Sequence, residues 1–279
     1  MKEVLIPVDF SDESKVALEY GIDIANTMQA NVRVIHIKTN NLIVPFFTSD
    51  KIYDKINPDI SAWAKKLHQT YSERYNVTNG RFDYKIREGN VRTEVCNQAK
   101  YGDSTLIVLG SHYETSQSTW PGSEAFRLVA HSPCPVLVVN KRMQLNKHIN
   151  SIALPIDYNI ASRKKVAAIA GIACLFKARI NVIGLKSSNL KWMNKRISTF
   201  VRQVQLFIQT TSKIEVNTEI LTGKDYASNL MQYSKAQAID LITTHVHHTN
   251  NPFVRIFQSF TNDLINQSVK PLLIIPTKD

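Results

Sequence analysis

Two loops in the first half of the chain carry residue types that can bind a phosphate group. Gly110 follows the apolar run Leu106–Leu109, and the pair Gly122-Ser123 comes shortly afterwards. Glycine lets backbone N–H groups approach phosphate oxygens closely, and a serine hydroxyl at the start of a helix supplies a further donor. Asp9 follows a second apolar run, Val4–Val8, and offers a carboxylate as a hydrogen-bond acceptor. These residues are therefore candidates for a ligand-binding site.

Strand-length apolar runs alternate with helical patterns and bring both loops to one edge of a sheet. The first half predicts strands at 4–8, 32–37, 82–86, 106–109 and 136–139, with helices at 11–29, 59–75, 91–100 and 123–130 between them. This alternation indicates parallel strands joined by right-handed crossovers. Ligands of such open sheets bind beyond the carboxyl ends of the strands, where both loops begin.

The chain repeats itself with a period of about 150 residues. Val4–Phe10 aligns with Ile152–Tyr158, and the closing segment Ser132–Val139 aligns with Ser268–Ile275. A period of this length is a whole domain rather than a solenoid unit. The polar stretch 140–150 has the composition expected of a linker.

The chain has room for two domains, predicted at 1–141 and 149–279. Its longest mostly apolar stretch, Val166–Phe176, is too short to span a bilayer. The N-terminus reads as a strand rather than as a signal peptide. We therefore predict a cytoplasmic protein without membrane contact. Three widely spaced cysteines are predicted to be buried, reduced thiols: Cys96, Cys134 and Cys174.

The net charge of +11 is distributed unevenly. Residues 1–140 hold 15 Lys and Arg against 16 Asp and Glu, whereas residues 141–279 hold 19 against 7. Such asymmetry can mark contact with an acidic partner or nucleic acid, or it can be a solvated basic surface. The scattering of the basic residues favours the solvated surface. Those concerned are Arg163, Lys164, Lys165, Lys191, Lys195, Arg196 and Arg202.

The strands and loops singled out above resemble those of the universal stress protein family. The segments that carry the resemblance are Val4–Ser14, Ile35–Ile37, Leu106–His112 and His131–Val139. They are similar to the family's opening strand and loop, the end of its second strand, its fourth strand with a glycine turn, and its closing segment. Together with the repeat, the likeness covers nearly the whole chain apart from 40–60 and 187–195.

The resemblance implies two tandem α/β domains of the Rossmann-like, adenine-nucleotide-α-hydrolase type. Each would be a five-stranded parallel open sheet of order 3-2-1-4-5 with helices on both faces. It also implies a stress-response protein of a largely non-catalytic kind. Family members pair through their last strands, so Val136–Val139 is predicted to lie beside Leu272–Ile275 in an internal pseudo-dimer that removes two exposed edges. A homodimer remains an alternative.

A nucleotide site in the first domain follows from the same resemblance. Asp9 would accept hydrogen bonds from ribose or adenine, and Pro7, Val8 and Ile37 would line the base pocket. The phosphate loop would contain Gly110, Ser111, Gly122 and Ser123. Some family members bind ATP and others do not, so ATP or AMP is an optional ligand of the first domain and no cofactor is required.

The phosphate loop departs from the pattern of ATP-binding relatives, which is Gly-x-x-Gly, nine residues, then Gly-Ser or Gly-Thr. Tyr113 occupies the second glycine position, and the intervening stretch is one residue short. Glu114 adds a negative charge where phosphates would lie. Two structural interpretations therefore stay open: Asp9 as a cap of the following helix, and Gly110 as a tight turn with nothing bound.

The second domain has lost more of the pattern. Asp157 remains, but His245 stands at the position of Gly110, His248 at that of Tyr113, and Gln258 at that of Gly122, while Ser259 is retained. These side chains predict no ATP site, and a scaffold or partner surface instead. His245 and His247 lack neighbouring cysteine or carboxylate ligands, so no metal site is predicted.

No catalytic residues are assigned. The chain has neither the Gly-x-x-x-x-Gly-Lys-Ser/Thr loop of P-loop enzymes nor a Gly-x-Ser-x-Gly elbow. We therefore predict a binding or signalling protein rather than an enzyme. The alternatives are a weak nucleotide hydrolase and a binder of nucleic acid or an acidic partner through the basic second domain. Nucleic acid is less favoured because aromatic stacking platforms are not evident among the basic residues.

Overall fold

The chain forms two compact α/β units, Met1–Arg142 and Met143–Asp279. The structure is a computed structural model, and it describes the following residues: 2–38, 60–111, 124–159, 161–186, 191–247 and 255–277. Each unit is considered by itself below.

The first unit contains five parallel strands in the order β3-β2-β1-β4-β5. Its elements are β1 Glu3–Pro7, α1 Asp12–Met28, β2 Asn31–Lys38, α2 Ile60–Ser72, β3 Phe82–Glu88, α3 Val91–Tyr101, β4 Ser104–Gly110, α4 Glu124–His131 and β5 Val136–Val139. The predicted order 3-2-1-4-5 is confirmed, and each strand and helix predicted for this half is present.

The second unit repeats this topology in the order β8-β7-β6-β9-β10. Its elements are β6 Ser151–Ile156, α5 Ala161–Lys164, α6 Val166–Phe176, β7 Arg179–Lys186, α7 Lys191–Thr211, β8 Val216–Thr222, α8 Tyr226–Ala236, β9 Leu241–His247, α9 Arg255–Gln267 and β10 Leu272–Thr277. The tandem α/β architecture inferred from the repeat is thereby confirmed. The predicted pairing of Val136–Val139 with Leu272–Ile275 stays a prediction.

Local sequence chemistry explains where the first helix begins and ends. The Ser11 side chain accepts a hydrogen bond from the backbone N–H of Ser14 at 3.1 Å, which makes it the N-cap of α1. Asp12 and Glu13 place negative charge in the first turn, where the helix dipole favours it. Gln29 ends the helix in the left-handed conformation and donates its backbone N–H to the last turn. This start fixes the loop between β1 and α1.

The stretch between the units packs against the second one. Met143 and Ile149 are buried. The Asp240 carboxylate, itself buried, accepts hydrogen bonds from the backbone N–H groups of Asn150 at 2.8 Å and Ser151 at 3.1 Å, and from the Asn146 side chain. The composition of 140–150 predicted only a linker, because it contains few apolar residues and its polar anchor, Asp240, lies far away in sequence. The predicted limits 1–141 and 149–279 stay a prediction.

Replacing Asp240 by alanine is expected to lower the free energy of unfolding of the second unit by about 3 kcal/mol, because the backbone donors of Asn150 and of buried Ser151 lose a charged acceptor. The matched change is Asp225→Ala, which removes the exposed N-cap of α8 and should cost about 1 kcal/mol. Urea unfolding followed by circular dichroism measures both. If both variants lose the same free energy of unfolding, Asp240 does not anchor residues 146–151 in the way proposed.

Candidate functional site

Three adjacent strands of the first unit, β2, β1 and β4, bring buried polar groups to their carboxyl ends. His36 lies near the end of β2, Asp9 follows β1, and Ser111 follows β4. One side-chain atom of each is buried and has no hydrogen-bond partner among the described residues: Asp9 Oδ2, His36 Nε2 and Ser111 Oγ. Buried polar atoms are normally hydrogen-bonded, so a group of three such atoms at one sheet edge requires an explanation.

Asp9 is held in place by the cap residue of α1. Its Oδ1 accepts hydrogen bonds from the Ser11 backbone N–H at 3.0 Å and from the Ser11 hydroxyl at 2.6 Å. Ser11, rather than Asp9, caps the helix. Of the two interpretations of Asp9 that the sequence left open, the cap is therefore wrong. Oδ1 is thus held by Ser11, and Oδ2 remains available at the end of β1.

One nitrogen of the His36 ring makes a hydrogen bond, and the other is available to a ligand (the open nitrogen). Nδ1 lies 2.8 Å from the backbone carbonyl of Val8. Because a carbonyl only accepts, Nδ1 carries the proton and donates, which leaves Nε2 as an acceptor in the neutral ring. Burial lowers the pKa of His36, and this effect outweighs the opposing influences of the Val8 hydrogen bond and the Asp9 charge. Neutral His36 therefore presents an unused acceptor.

Phe10 reaches the same place through an unusual backbone conformation. Its φ is 71°, in the left-handed region that bulky residues rarely occupy. The ring centroid lies 4.5 Å from that of His36, with the planes tilted by 40°. Strained residues of this kind persist where the surroundings over-determine them and are common at functional sites. Phe10 thus places an aromatic face beside the open nitrogen of His36.

Gly110 has a packing role that the sequence did not specify. A β-carbon built there would lie 2.5 Å from the Glu13 carbonyl oxygen and 2.9 Å from the Ser14 backbone nitrogen. The glycine therefore lets β4 approach the first turn of α1. Ser111, which comes next, donates its backbone N–H to Val139 at 2.9 Å, and its side chain is 2% exposed. Contact between backbones explains the glycine without any phosphate.

The remaining predicted site residues fall into two groups. Pro7, Val8 and Ile37 are described: Pro7 ends β1, its neighbour Val8 donates its backbone N–H to Ile35 at 2.8 Å, and Val8 and Ile37 are buried. They lie at the same sheet edge as Asp9 and His36. Gly122 and Ser123 lie outside the described residues, as do Tyr113 and Glu114. The predicted nucleotide pocket stays a prediction.

In the second unit, the aspartate at the same strand end is buried and lies close enough to a buried lysine, Lys165, for the lysine charge to affect its pKa. Asp157 is 5% exposed, and its Oδ1 accepts a hydrogen bond from the backbone N–H of Asn159 at 2.6 Å. Burial raises the pKa of Asp157 to about 6, while the Asn159 hydrogen bond and the charge of Lys165 act in the opposite direction. Burial lowers the pKa of Lys165, and the Asp157 charge opposes this. Each charge therefore favours the ionised form of the other group.

Lys165 occupies a position that is apolar in the first unit. The constant offset of the repeat places it over Ala17, which is fully buried inside α1. Lys165 is 1% exposed and lies between α5 and α6, where the second unit interrupts the long helix of the first. Its assignment to a scattered basic surface was therefore wrong. The repeat alignment carried the signal, because it sets a lysine against a core alanine.

The histidine cluster was also the subject of a prediction. His245 is buried near the end of β9. Its backbone carbonyl accepts a hydrogen bond from the Thr261 hydroxyl of α9 at 3.1 Å. Among the described residues, no group of three or more His, Cys, Asp or Glu side chains converges as metal ligands do; His248 lies outside them.

The three cysteines were predicted to be buried. Cys134 is buried and Cys96 partly so, but Cys174 is exposed, so the prediction was wrong for Cys174.

Two tandem open parallel sheets, with a carboxylate at the end of the first strand of each, define a duplicated Rossmann-like domain protein. The chain belongs to the universal stress protein family, whose model matches residues 1–140. The resemblance found in the sequence is thereby confirmed. Across the described parts of the chain, no helix is long and apolar enough to cross a membrane.

Individual relatives agree with this assignment. The chain is 24% identical to the universal stress protein YxiE of Bacillus subtilis over 49% of this chain and 97% of that protein. It is 29% identical to the universal stress protein MJ0531 of Methanocaldococcus jannaschii over 50% of this chain and 82% of that protein. A crystal structure of a universal stress protein from Archaeoglobus fulgidus matches 98% of both chains with a TM-score of 0.76 and 15% identity, which supports the tandem fold.

Proposed function

We propose that the protein is a stress-response binding protein that takes ATP or AMP in its first unit only and has no catalytic role. The observation that carries this proposal is the set of unpartnered buried atoms at the ends of three adjacent strands: Asp9 Oδ2, His36 Nε2 and Ser111 Oγ. Leaving such atoms without partners costs about 1–3 kcal/mol each, so a ligand that satisfies them gains affinity.

The chemistry of the three atoms suits a nucleoside phosphate. Two of them, the Asp9 oxygen and the His36 nitrogen, accept hydrogen bonds, and ribose hydroxyls and an adenine amino group can donate to them. The Ser111 hydroxyl can donate to a phosphate oxygen. A bare phosphate fits less well, because the Asp9 charge would repel it. Phe10 offers an apolar face for a base, and Val8 and Ile37 offer apolar walls.

The second unit is proposed to be a scaffold without a nucleotide. Its aspartate is already stabilised by the charge of buried Lys165, and a buried histidine stands at the end of β9 in place of Gly110. A ligand entering there would compete with the lysine charge and would have to displace an imidazole ring. One nucleotide per chain is the expected stoichiometry.

Nucleotide binding is expected to weaken about tenfold or more in Asp9→Asn, because a hydrogen bond to a charged acceptor is worth about 1.5–3 kcal/mol. Isothermal titration of the full chain with ATP and with AMP measures this. Asparagine keeps an oxygen for Ser11, so the loop should hold its shape. The matched variant is Asp12→Asn, in the first turn of α1 with a largely exposed side chain; it should bind as the wild type does.

Ser111→Ala sharpens the same test. Removing a buried hydroxyl without a partner should leave the unfolding free energy of the ligand-free chain unchanged or slightly higher, while affinity for nucleotide falls. If neither ATP nor AMP binds the wild-type chain, or if Asp12→Asn weakens binding as much as Asp9→Asn, the nucleotide proposal is wrong. Robust turnover of ATP by the wild-type chain would favour the hydrolase alternative.

A further inference from the structure

The whole net charge of the protein lies in one segment of the second unit. Residues 158–214 contain 11 Lys and Arg and not a single Asp or Glu, while the rest of the chain has 23 of each sign. The segment comprises α5, α6, β7 and α7. Among its described cationic residues, Lys165 is the one that is buried, near the Asp157 carboxylate. The charged side chains on the surface of this segment are therefore all positive, and the resulting positive potential attracts anionic partners.

The helix α6 has no polar residue in its whole length, Val166–Phe176. A surface helix ordinarily turns a polar face outward, and a helix that is apolar on all sides is ordinarily covered. Part of α6 is nevertheless exposed, and the residues concerned are Ala167, Ala168, Gly171, Cys174 and Leu175. A β-carbon built on Gly171 would meet no atom within 4 Å. The outer face of α6 is thus apolar and uncovered within this unit.

The helix α7 extends the apolar surface beside α6. Trp192 is 64% exposed, Leu206 50% and Phe207 42%. Between the two helices runs a groove of about 370 Å³, whose lining includes Val166, Ala167, Val204 and Phe207. Exposed apolar area of this kind next to a groove is characteristic of a protein-binding surface rather than of a solvated face.

Cationic side chains lie at this groove: Arg163 and Lys164 line it, and Arg196 shares the ring of Phe200 with Arg163. The guanidinium groups of Arg163 and Arg196 lie 4.0 Å and 5.1 Å from the centroid of the same ring, that of Phe200. Arg163 also donates to Gln203 across the groove. Two guanidinium groups on one aromatic ring are thus held in place by packing, with no carboxylate in their own segment. They are ready to pair with carboxylates of a partner.

We propose that the groove between α6 and α7, with its basic border, docks an acidic amphipathic helix of a partner protein. The apolar face of such a helix would cover α6, Leu206 and Phe207, and its flanking carboxylates would pair with Arg163 and Arg196. A second copy of this chain is disfavoured, because it would bring two fields of the same sign together. Nucleic acid would leave the apolar face of α6 uncovered. A bilayer surface would not fill a groove.

The test uses the full chain and a fluorescein-labelled peptide of about 18 residues, long enough for a helix that presents leucines on one face and glutamates on both flanks. Fluorescence anisotropy should show saturable binding that weakens as salt is added. Two comparison peptides should bind at least tenfold more weakly: one with lysine in place of every glutamate, and one of the same composition with the leucines spread around the helix.

Ala167→Glu is expected to weaken binding of the acidic peptide at least tenfold, because it sets a carboxylate in the groove. The matched control is Ala236→Glu, an identical change at an exposed position of α8, which should bind normally. Circular dichroism shows whether each variant is folded. The proposal fails if the acidic peptide does not bind, if both variants behave alike, or if vesicles of phosphatidylglycerol and phosphatidylcholine or a single-stranded oligonucleotide bind more tightly and lose binding in Ala167→Glu.

Discussion

Lys165→Met is expected to destabilise the second unit by about 3 kcal/mol, because the buried Asp157 carboxylate loses the nearby positive charge that favours its ionised form. Asp157 is 5% exposed and Lys165 1% exposed, so water cannot replace the lost partner. In Asp157→Asn with Lys165→Met, most of this loss should be recovered, since an uncharged pair of similar volume avoids the desolvation penalty. Urea unfolding of the full chain, followed by circular dichroism, measures each variant of this cycle.

The pH dependence of Lys165→Met provides an independent check. Burial raises the folded-state pKa of Asp157 above its unfolded value, and loss of the lysine charge raises it further. The folded state then binds more protons than the unfolded state between the two pKa values, so stability increases as the pH falls through this window. The deficit relative to wild type should therefore shrink between pH 7 and pH 4. The control, Lys235→Met on an exposed turn of α8, should show neither the loss nor the pH dependence.

Gly110→Ala should be the most damaging single-methyl change in the first unit, with an expected loss of about 3 kcal/mol or more. The added carbon would lie 2.5 Å from the Glu13 carbonyl oxygen and 2.6 Å from its carbonyl carbon. These are backbone atoms of α1 and cannot move aside as a flexible side chain can. Thermal and urea unfolding of the full chain measure the loss.

Gly171→Ala is the matched change. A β-carbon there meets nothing within 4 Å, and the residue lies inside α6, so alanine should stabilise the second unit by about 1 kcal/mol through its higher helix propensity. Equal effects at the two glycines would refute the close packing of β4 on α1. The contrast also means that a bulky residue at Gly110 is a poor probe of nucleotide binding, because misfolding would remove any ligand as well. Asp9→Asn and Ser111→Ala are the better probes.

The order of the strands could be predicted from the sequence because each strand and helix is marked by a local signal in the sequence. The strand at Val136–Val139 was predicted with its observed limits, since four β-branched or leucine residues follow a proline that sets the entry of the strand. The first helix was predicted to within one residue at each end, because Ser11 caps it. The duplication then extended one topology to both halves.

The environment of the site could not be predicted in the same way, because it depends on contacts between distant residues. Nothing around Lys165 shows that its side chain turns inward; only the comparison with Ala17 does so. The need for glycine at position 110 arises from Glu13, almost a hundred residues earlier. The open nitrogen of His36 follows from which backbone carbonyl its other nitrogen reaches, and that carbonyl belongs to Val8, directly after β1.

The two strand-end aspartates have different consequences for how each half responds to conditions in the cell. Asp157 has a nearby cation, Lys165, within its own unit that favours its ionised form. Asp9 has no ion-pair partner among the described residues, and any solute that satisfies it adds RT ln(1 + [L]/Kd) to the stability of the first half alone. Depletion of that solute would therefore loosen one half of the molecule while the other stays intact. The concentration of that solute would thus set the stability of the first unit relative to that of its duplicate, the second unit.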